Sequence, residues 1–88
     1  MSIKKEIIVY SAKLCSDCQK LKAFLDENNI QYENRDIREN PKWGEELEKN
    51  TGKLGVPYLQ IDGEWIIGYE AFVGYSEQWA KKVFAELL

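Results

Sequence analysis

The sequence predicts an α/β domain built in the order β-α-β-α-β-β-α, with a mixed four-stranded sheet flanked by helices. Three observations carry this reading. Short apolar, β-branched runs alternate with amphipathic stretches of helical period. The strand–helix–strand opening demands a right-handed crossover, and therefore parallel pairing of the first two strands. Asp62-Gly63 lies between two apolar runs, where a type I′ turn needs positive φ at both central positions and joins antiparallel strands. A chain of 88 residues has room for one core, so residues 1–88 are expected to form a single domain.

Ile7 to Tyr10 is an apolar run that predicts a buried strand over Glu6–Ser11. Ala12 to Cys15 reads as a loop. From Ser16 to about Asn28 the pattern turns helical. Cys18, Leu21 and Leu25, with Phe24 beside them, form one stripe, and Lys20, Lys22, Asp26 and Glu27 lie outside it. Asn28-Asn29 supplies a left-handed stop. Ile30 to Ile37 predicts the second strand.

Asn40-Pro41 opens the second helix, since Asn caps and Pro suits the first helical position. That helix carries Trp43 and Leu47 inward and ends between Asn50 and Gly52, with Lys49 complementing its dipole. Val56 to Ile61 and Glu64 to Ile67 are the hairpin strands. Glu70 to Leu88 predicts the last helix, with Phe72, Trp79, Val83 and Leu87 on one face. Gly74 breaks it, and Ser76 caps the longer second part.

Composition removes much chemistry. There is no histidine, so the chain supplies no imidazole base, no Cys-His or Ser-His nucleophile and no His metal ligand. Two cysteines alone do not close a four-ligand zinc site. A net charge of −3 argues against nucleic-acid binding. No stretch has the apolar length of a signal peptide or of a membrane span, so the chain reads as cytoplasmic and membrane-free. In that compartment a close cysteine pair points to catalysis or metal binding rather than to a structural bridge.

Both cysteines fall in Cys15-Ser-Asp-Cys18, after a strand and at a helix start. Unpaired N–H groups and the helix dipole there stabilise a thiolate on the first cysteine. The second lies one turn further in, within reach of a mixed disulfide. This makes Cys15 the exposed nucleophile and Cys18 the buried resolving thiol. An inert bridge, or half of an intermolecular metal site, is the plainer alternative. The strand–helix–strand frame favours redox chemistry. Asp17 should raise the thiolate pKa and Lys13 should oppose it.

Val56-Pro57 opens a strand. On residues alone an ordinary trans bond is favoured, while a cis bond would expose the Val56 backbone to an extended partner. Gly68, Tyr69 and Glu70 lie between the last strand and the last helix, where close backbone approach and a helix N-terminus suit an anionic group. A plain strand-to-helix turn accounts for them equally well. Trp43, Trp65 and Trp79 read as packing rather than as a ligand platform.

Taken together, Ile7-Ile-Val-Tyr-Ser11 leading to Cys15-Ser-Asp-Cys18, then Leu21-Lys22, Phe24-Leu25, Arg35-Asp-Ile37, Glu48-Lys-Asn-Thr-Gly52, Gly55-Val-Pro-Tyr-Leu59, Ile61-Asp-Gly-Glu64 and Ile67-Gly-Tyr69 resemble the glutaredoxin family. The likeness spans about Glu6 to Leu88. It implies a thioredoxin fold and reduction of protein or small-molecule disulfides. It also implies a cis Pro57 facing the cysteine pair. Val56 and Pro57 would then contact substrate or glutathione, with Gly68, Tyr69 and Glu70 as a second binding stretch.

The resemblance implies no tightly bound cofactor, with glutathione as a co-substrate. As partners it implies disulfide-containing proteins, ribonucleotide reductase among them, and a monomeric enzyme. The family's usual Cys-Pro-Tyr-Cys is altered here to Ser16 and Asp17. The usual Thr before Val-Pro is Gly55, and Gly-Gly-x-Asp-Asp is Ile67-Gly-Tyr-Glu-Ala71. These departures point toward redoxins that are re-reduced by thioredoxin reductase instead of glutathione. Two other classes compete: a glutathione-dependent [2Fe–2S] cluster carrier and a non-catalytic thioredoxin-fold binding module.

Overall fold

A computed structural model describes residues 6–69 and 74–85. The elements follow the predicted order: β1 (Ile7–Ser11), α1 (Ser16–Glu27), β2 (Glu33–Asp36), α2 (Pro41–Thr51), β3 (Tyr58–Ile61), β4 (Glu64–Ile67) and α3 (Glu77–Val83). The sheet order is β2-β1-β3-β4. β1 pairs with β2 in parallel and with β3 antiparallel, and β3 pairs antiparallel with β4. Among the described residues no helix is long and apolar enough to cross a membrane.

Strand alternation sorts the two faces of the sheet. Ile7, Val9, Leu59 and Ile61 point to one side. There they form the main core with Leu21, Phe24 and Leu25 of α1, and with Ala80 and Phe84 at α3. Each such buried Leu, Ile or Phe contributes about 1.5–3 kcal/mol over leaving it in water. The Phe24 and Phe84 rings lie 6.1 Å apart and bind the two helices across this face. Trp79 meets Phe84 edge-on at 6.3 Å.

Tyr10 points to the other side, toward α2. It is fully buried, and its hydroxyl donates to Glu46 of α2 while accepting from Arg35 of β2. Arg35 also pairs with Glu46 and Glu33. Burial, and then the hydrogen bond to Glu46, push the Tyr10 phenol from 10.0 up to about 12. The Tyr10 and Trp65 rings lie 5.1 Å apart, which ties β1 to β4 on this face.

Punctuation residues set the boundaries. The Asn40 side chain accepts from the Lys42 N–H at 3.1 Å, Pro41 takes the first turn, and Gly52 ends α2 in the left-handed region. Asp62 and Gly63 have φ of 51° and 86°, the two positive values that the hairpin turn requires.

Several expectations are corrected. β2 is only Glu33–Asp36 rather than Ile30–Ile37. The Ile30 N–H donates to the Leu25 carbonyl at 2.8 Å, so Ile30 belongs to the turn that folds back on α1, and its side chain joins the core. The left-handed stop expected at Asn28-Asn29 is present, carried by Asn29. β3 begins at Tyr58, leaving Val56 and Pro57 in the loop before it. The described part of the last helix is Glu77–Val83, capped by Ser76 as expected. The predicted helical residues 70–73 and 86–88, including Phe72 and Leu87, lie outside the described residues.

Candidate active site

β1 delivers the chain to a tight loop in which the Cys15 N–H donates to the Ala12 carbonyl at 3.0 Å. Cys15 then takes the N-cap position of α1 rather than its first turn. Its sulfur acts as the capping acceptor, receiving the Cys18 N–H at 3.1 Å. An N-cap oxygen normally fills this role, and here sulfur satisfies one of the orphan donors of the first turn.

The two cysteines are joined as a disulfide with their Cα atoms 5.2 Å apart. Cys15 is half-buried, while Cys18 is fully buried on the core side of α1. Only the first sulfur is therefore open to an incoming group.

The loop before β3 faces Cys15. The Val56–Pro57 bond is cis, and the Val56 carbonyl oxygen stands 3.8 Å from Cys15 Sγ. Thus the ordinary trans bond favoured on residues alone is corrected. Gly68 and Tyr69 join this loop from the far side of the hairpin. The Gly68 N–H donates to the Pro57 carbonyl at 3.0 Å. A Cβ on Gly68 would fall 2.8 Å from that same oxygen, so the close approach demands glycine. The Tyr69 hydroxyl lies over Gly55, 3.2 Å from where a Cβ would sit. Glu70 lies outside the described residues.

Asp17 and Lys13 part company. Lys13 is exposed, and its carbonyl accepts from the Gln19 side chain. Among the described residues no ion pair joins it to Asp17. Asp17 is instead half-buried, and its Oδ1 accepts the Tyr75 N–H at 3.1 Å, across 58 positions of sequence. Tyr75 follows Gly74, whose φ of 87° is left-handed. Burial first, then the charges of Glu77 and Glu27, raise the Tyr75 phenol above its ordinary value.

Gly74 and Tyr75 thus contact the Asp17 side chain, where the sequence shows only a helix break. The glycine was the available signal, but nothing local to it names Asp17 as its partner. Two large apolar residues are exposed on these same loops, Leu14 next to Cys15 and Leu54 two positions before Val56.

Among the described residues no cluster of three or more His, Cys, Asp or Glu side chains could hold a metal ion. The arrangement suits two-electron sulfur exchange. One accessible sulfur rests on a backbone N–H, and a second is buried within bonding distance of it.

Comparison with known proteins agrees with this chemistry. A family model described as glutaredoxin matches residues 7–66. Glutaredoxin 1 of Rickettsia conorii is 36% identical over 79 residues, covering 88% of this chain and 78% of that protein. A crystallised thioredoxin-like protein superposes with a TM-score of 0.71 at 26% identity, over 94% of this chain and all of the other. A buckwheat glutaredoxin crystallised with glutathione shares the fold, with a TM-score of 0.69 at 21% identity over 94% of this chain and 73% of that one. With the matched region running from β1 through the cysteine pair and into the hairpin, this chain belongs to the glutaredoxin family of thiol-disulfide oxidoreductases.

Proposed function

We propose that the protein reduces the disulfides of protein substrates by dithiol exchange, with Cys15 as nucleophile and Cys18 as resolving thiol. The Cys15 thiolate attacks one substrate sulfur. This forms a mixed disulfide and releases the other substrate sulfur as a thiolate, which takes a proton from water. The Cys18 thiolate then attacks Cys15 Sγ and releases the second substrate thiol. Two electrons have moved to the substrate, and the Cys15–Cys18 disulfide remains. Two glutathione equivalents, or a reductase of the thioredoxin-reductase type, restore the dithiol.

The observation that carries this assignment is the asymmetry of the pair. Cys15 is half-exposed with its sulfur on the Cys18 N–H, and Cys18 is fully buried. Lys13 and Asp17 tune the thiolate by their opposite charges. The Val56 backbone pairs with an extended substrate segment beside Pro57, an assignment supported by the carbonyl standing 3.8 Å from Cys15 Sγ. Gly68 and Tyr69 form the second wall for substrate or for glutathione, supported by their packing on the Pro57 loop. The working unit is residues 1–88 as one monomeric domain in the reducing cytoplasm, where its reductants are found.

The test is insulin reduction by the reduced protein, recycled either by glutathione with its reductase or by thioredoxin reductase. Turnover with either system that disappears in Cys15→Ser supports the assignment. No turnover with both, from freshly reduced protein, overturns it.

A further inference from the structure

Asp17 stands between the two cysteines in sequence and in the first turn of α1. Its carboxylate occupies the Tyr75 N–H at 3.1 Å. It also lies flat against Gly74, where an added Cβ would come 2.8 Å from Oδ1 and 3.0 Å from Oδ2. The protein's own carboxylate therefore fills a backbone donor beside the redox pair. With that N–H taken, the carboxylate of a ligand cannot use it. An incoming thiol that carries net negative charge meets two obstacles, an occupied donor and a fixed like charge. A neutral or cationic partner meets neither, and the exposed Leu14 and Leu54 offer apolar surface on the loops flanking the pair.

We propose that Asp17, pinned by the Tyr75 N–H against Gly74, sets the partner choice of the site. It disfavours anionic thiols, glutathione included, and leaves Cys15 to neutral or cationic partners. The proposal rests on the dithiol reading above and names the chemistry of its partner. Asp17 touches neither reacting sulfur in the structure. It is a positioning and selecting residue.

The experiment measures second-order rates at which thiols reduce the Cys15–Cys18 disulfide, read by mass after acid quench and alkylation. Three thiols are compared: glutathione (net negative), β-mercaptoethanol (neutral) and cysteamine (positive). Ratios between thiols are the readout, because any change in Cys15 reactivity affects all three and cancels. For one unit charge near the site at a dielectric approaching that of water, Asp17→Asn should raise the glutathione-to-mercaptoethanol ratio about three- to tenfold. It should lower the cysteamine-to-mercaptoethanol ratio similarly. Both changes should shrink toward unity near 1 M salt, where the screening length is about 3 Å. A purely structural role would not produce that salt dependence.

Asp17→Ala also frees the Tyr75 N–H, and should raise the glutathione ratio beyond the Asn variant. Ratios that match wild type in Asp17→Asn, or a gain that ignores salt, overturn the proposal. An Ala variant no better than the Asn variant overturns the role of the occupied N–H. Should Asp17→Asn lose its native circular dichroism, Asp17→Ser carries the same comparison with a hydroxyl acceptor. Failure of the dithiol reading is separable: it appears as absent insulin turnover, whatever the thiol ratios.

Discussion

Replacing Gly74 by alanine tests whether the link between the redox helix and α3 is built as described. Two effects add. Gly74 has φ of 87°, a region that disfavours any side chain by about 1–2 kcal/mol. Its new Cβ would also lie 2.8 Å from Asp17 Oδ1, so the carboxylate must move and release the Tyr75 N–H. Loss of a hydrogen bond to a charged acceptor costs about 1.5–3 kcal/mol, and the half-buried position favours the low end.

The sum is about 3 kcal/mol, or roughly 12–24 °C in Tm for a domain of this size. The chain supplies its own control. Gly63 has φ of 86° but nothing within 4 Å of an added Cβ, so Gly63→Ala should cost only about 1–2 kcal/mol. Urea unfolding followed by tryptophan fluorescence reads both. A double-mutant cycle adds the decisive term. Asp17→Ala should cost about 1.5 kcal/mol alone, yet add almost nothing on top of Gly74→Ala, because the same hydrogen bond is already lost. Equal effects of the two glycine variants, or strict additivity with Asp17→Ala, would refute the link.

Asp17→Asn should lower the Cys15 pKa and shift the potential of the pair upward, read by thiolate absorbance and by equilibration with a redox buffer; no change, or the opposite change, contradicts the tuning role. Cys18→Ser should accumulate a mixed disulfide with substrate, visible as an added mass, whereas Cys15→Ser should accumulate none; trapping by the wrong variant would reverse the two roles. Gly68→Ala puts a Cβ 2.8 Å from the Pro57 carbonyl oxygen, a backbone atom that yields only by moving the loop, so activity should fall at least about tenfold with a stability loss of about 1–3 kcal/mol; wild-type turnover would show that the loop position is unimportant. Tyr10 is protonated in both folded and unfolded chains below pH 10 and keeps its proton to about 12 when folded, so its stabilisation is complete below pH 10 and is lost between 10 and 12; Tyr10→Phe should remove that part of the alkaline decline in urea midpoint, and an unchanged decline would locate it elsewhere.

What the sequence made legible was local. Asn40-Pro41 and Gly52 announce both ends of α2 because a cap, a fixed φ and a left-handed stop are properties of single residues. Asp62-Gly63 fixes the hairpin for the same reason. Cys15 and Cys18 declare themselves through spacing. The start of β2 was not legible, because the apolar Ile30 serves the core from a turn and not from a strand. Gly74 was legible as a break but not as the floor beneath a carboxylate, since its partner Asp17 is brought to it only by the packing of α3 on α1. Gly44 was passed over too. It is buried where α2 meets Ile37 and Leu54, and an added Cβ would meet them at ordinary contact distances of 3.6–3.8 Å.

The absence of histidine gives these backbone details their weight. An imidazole beside a thiol would hold it as a thiolate by charge. In the proposed chemistry the Cys18 N–H on Cys15 Sγ, the N-terminus of α1 and Lys13 take that part. A helix terminus is worth about 0.3–1 kcal/mol when exposed and up to about 2 when partly buried. One carboxylate nearby at intermediate dielectric is worth about as much in the opposite sense. The two contributions oppose each other, so the way Asp17 is held matters to the proposed tuning. Pinned to Tyr75, its Oδ1 is turned toward an N–H donor that draws off part of its field. The proposed tuning therefore depends on the hydrogen bond across 58 positions as well as on the dipeptide between the cysteines.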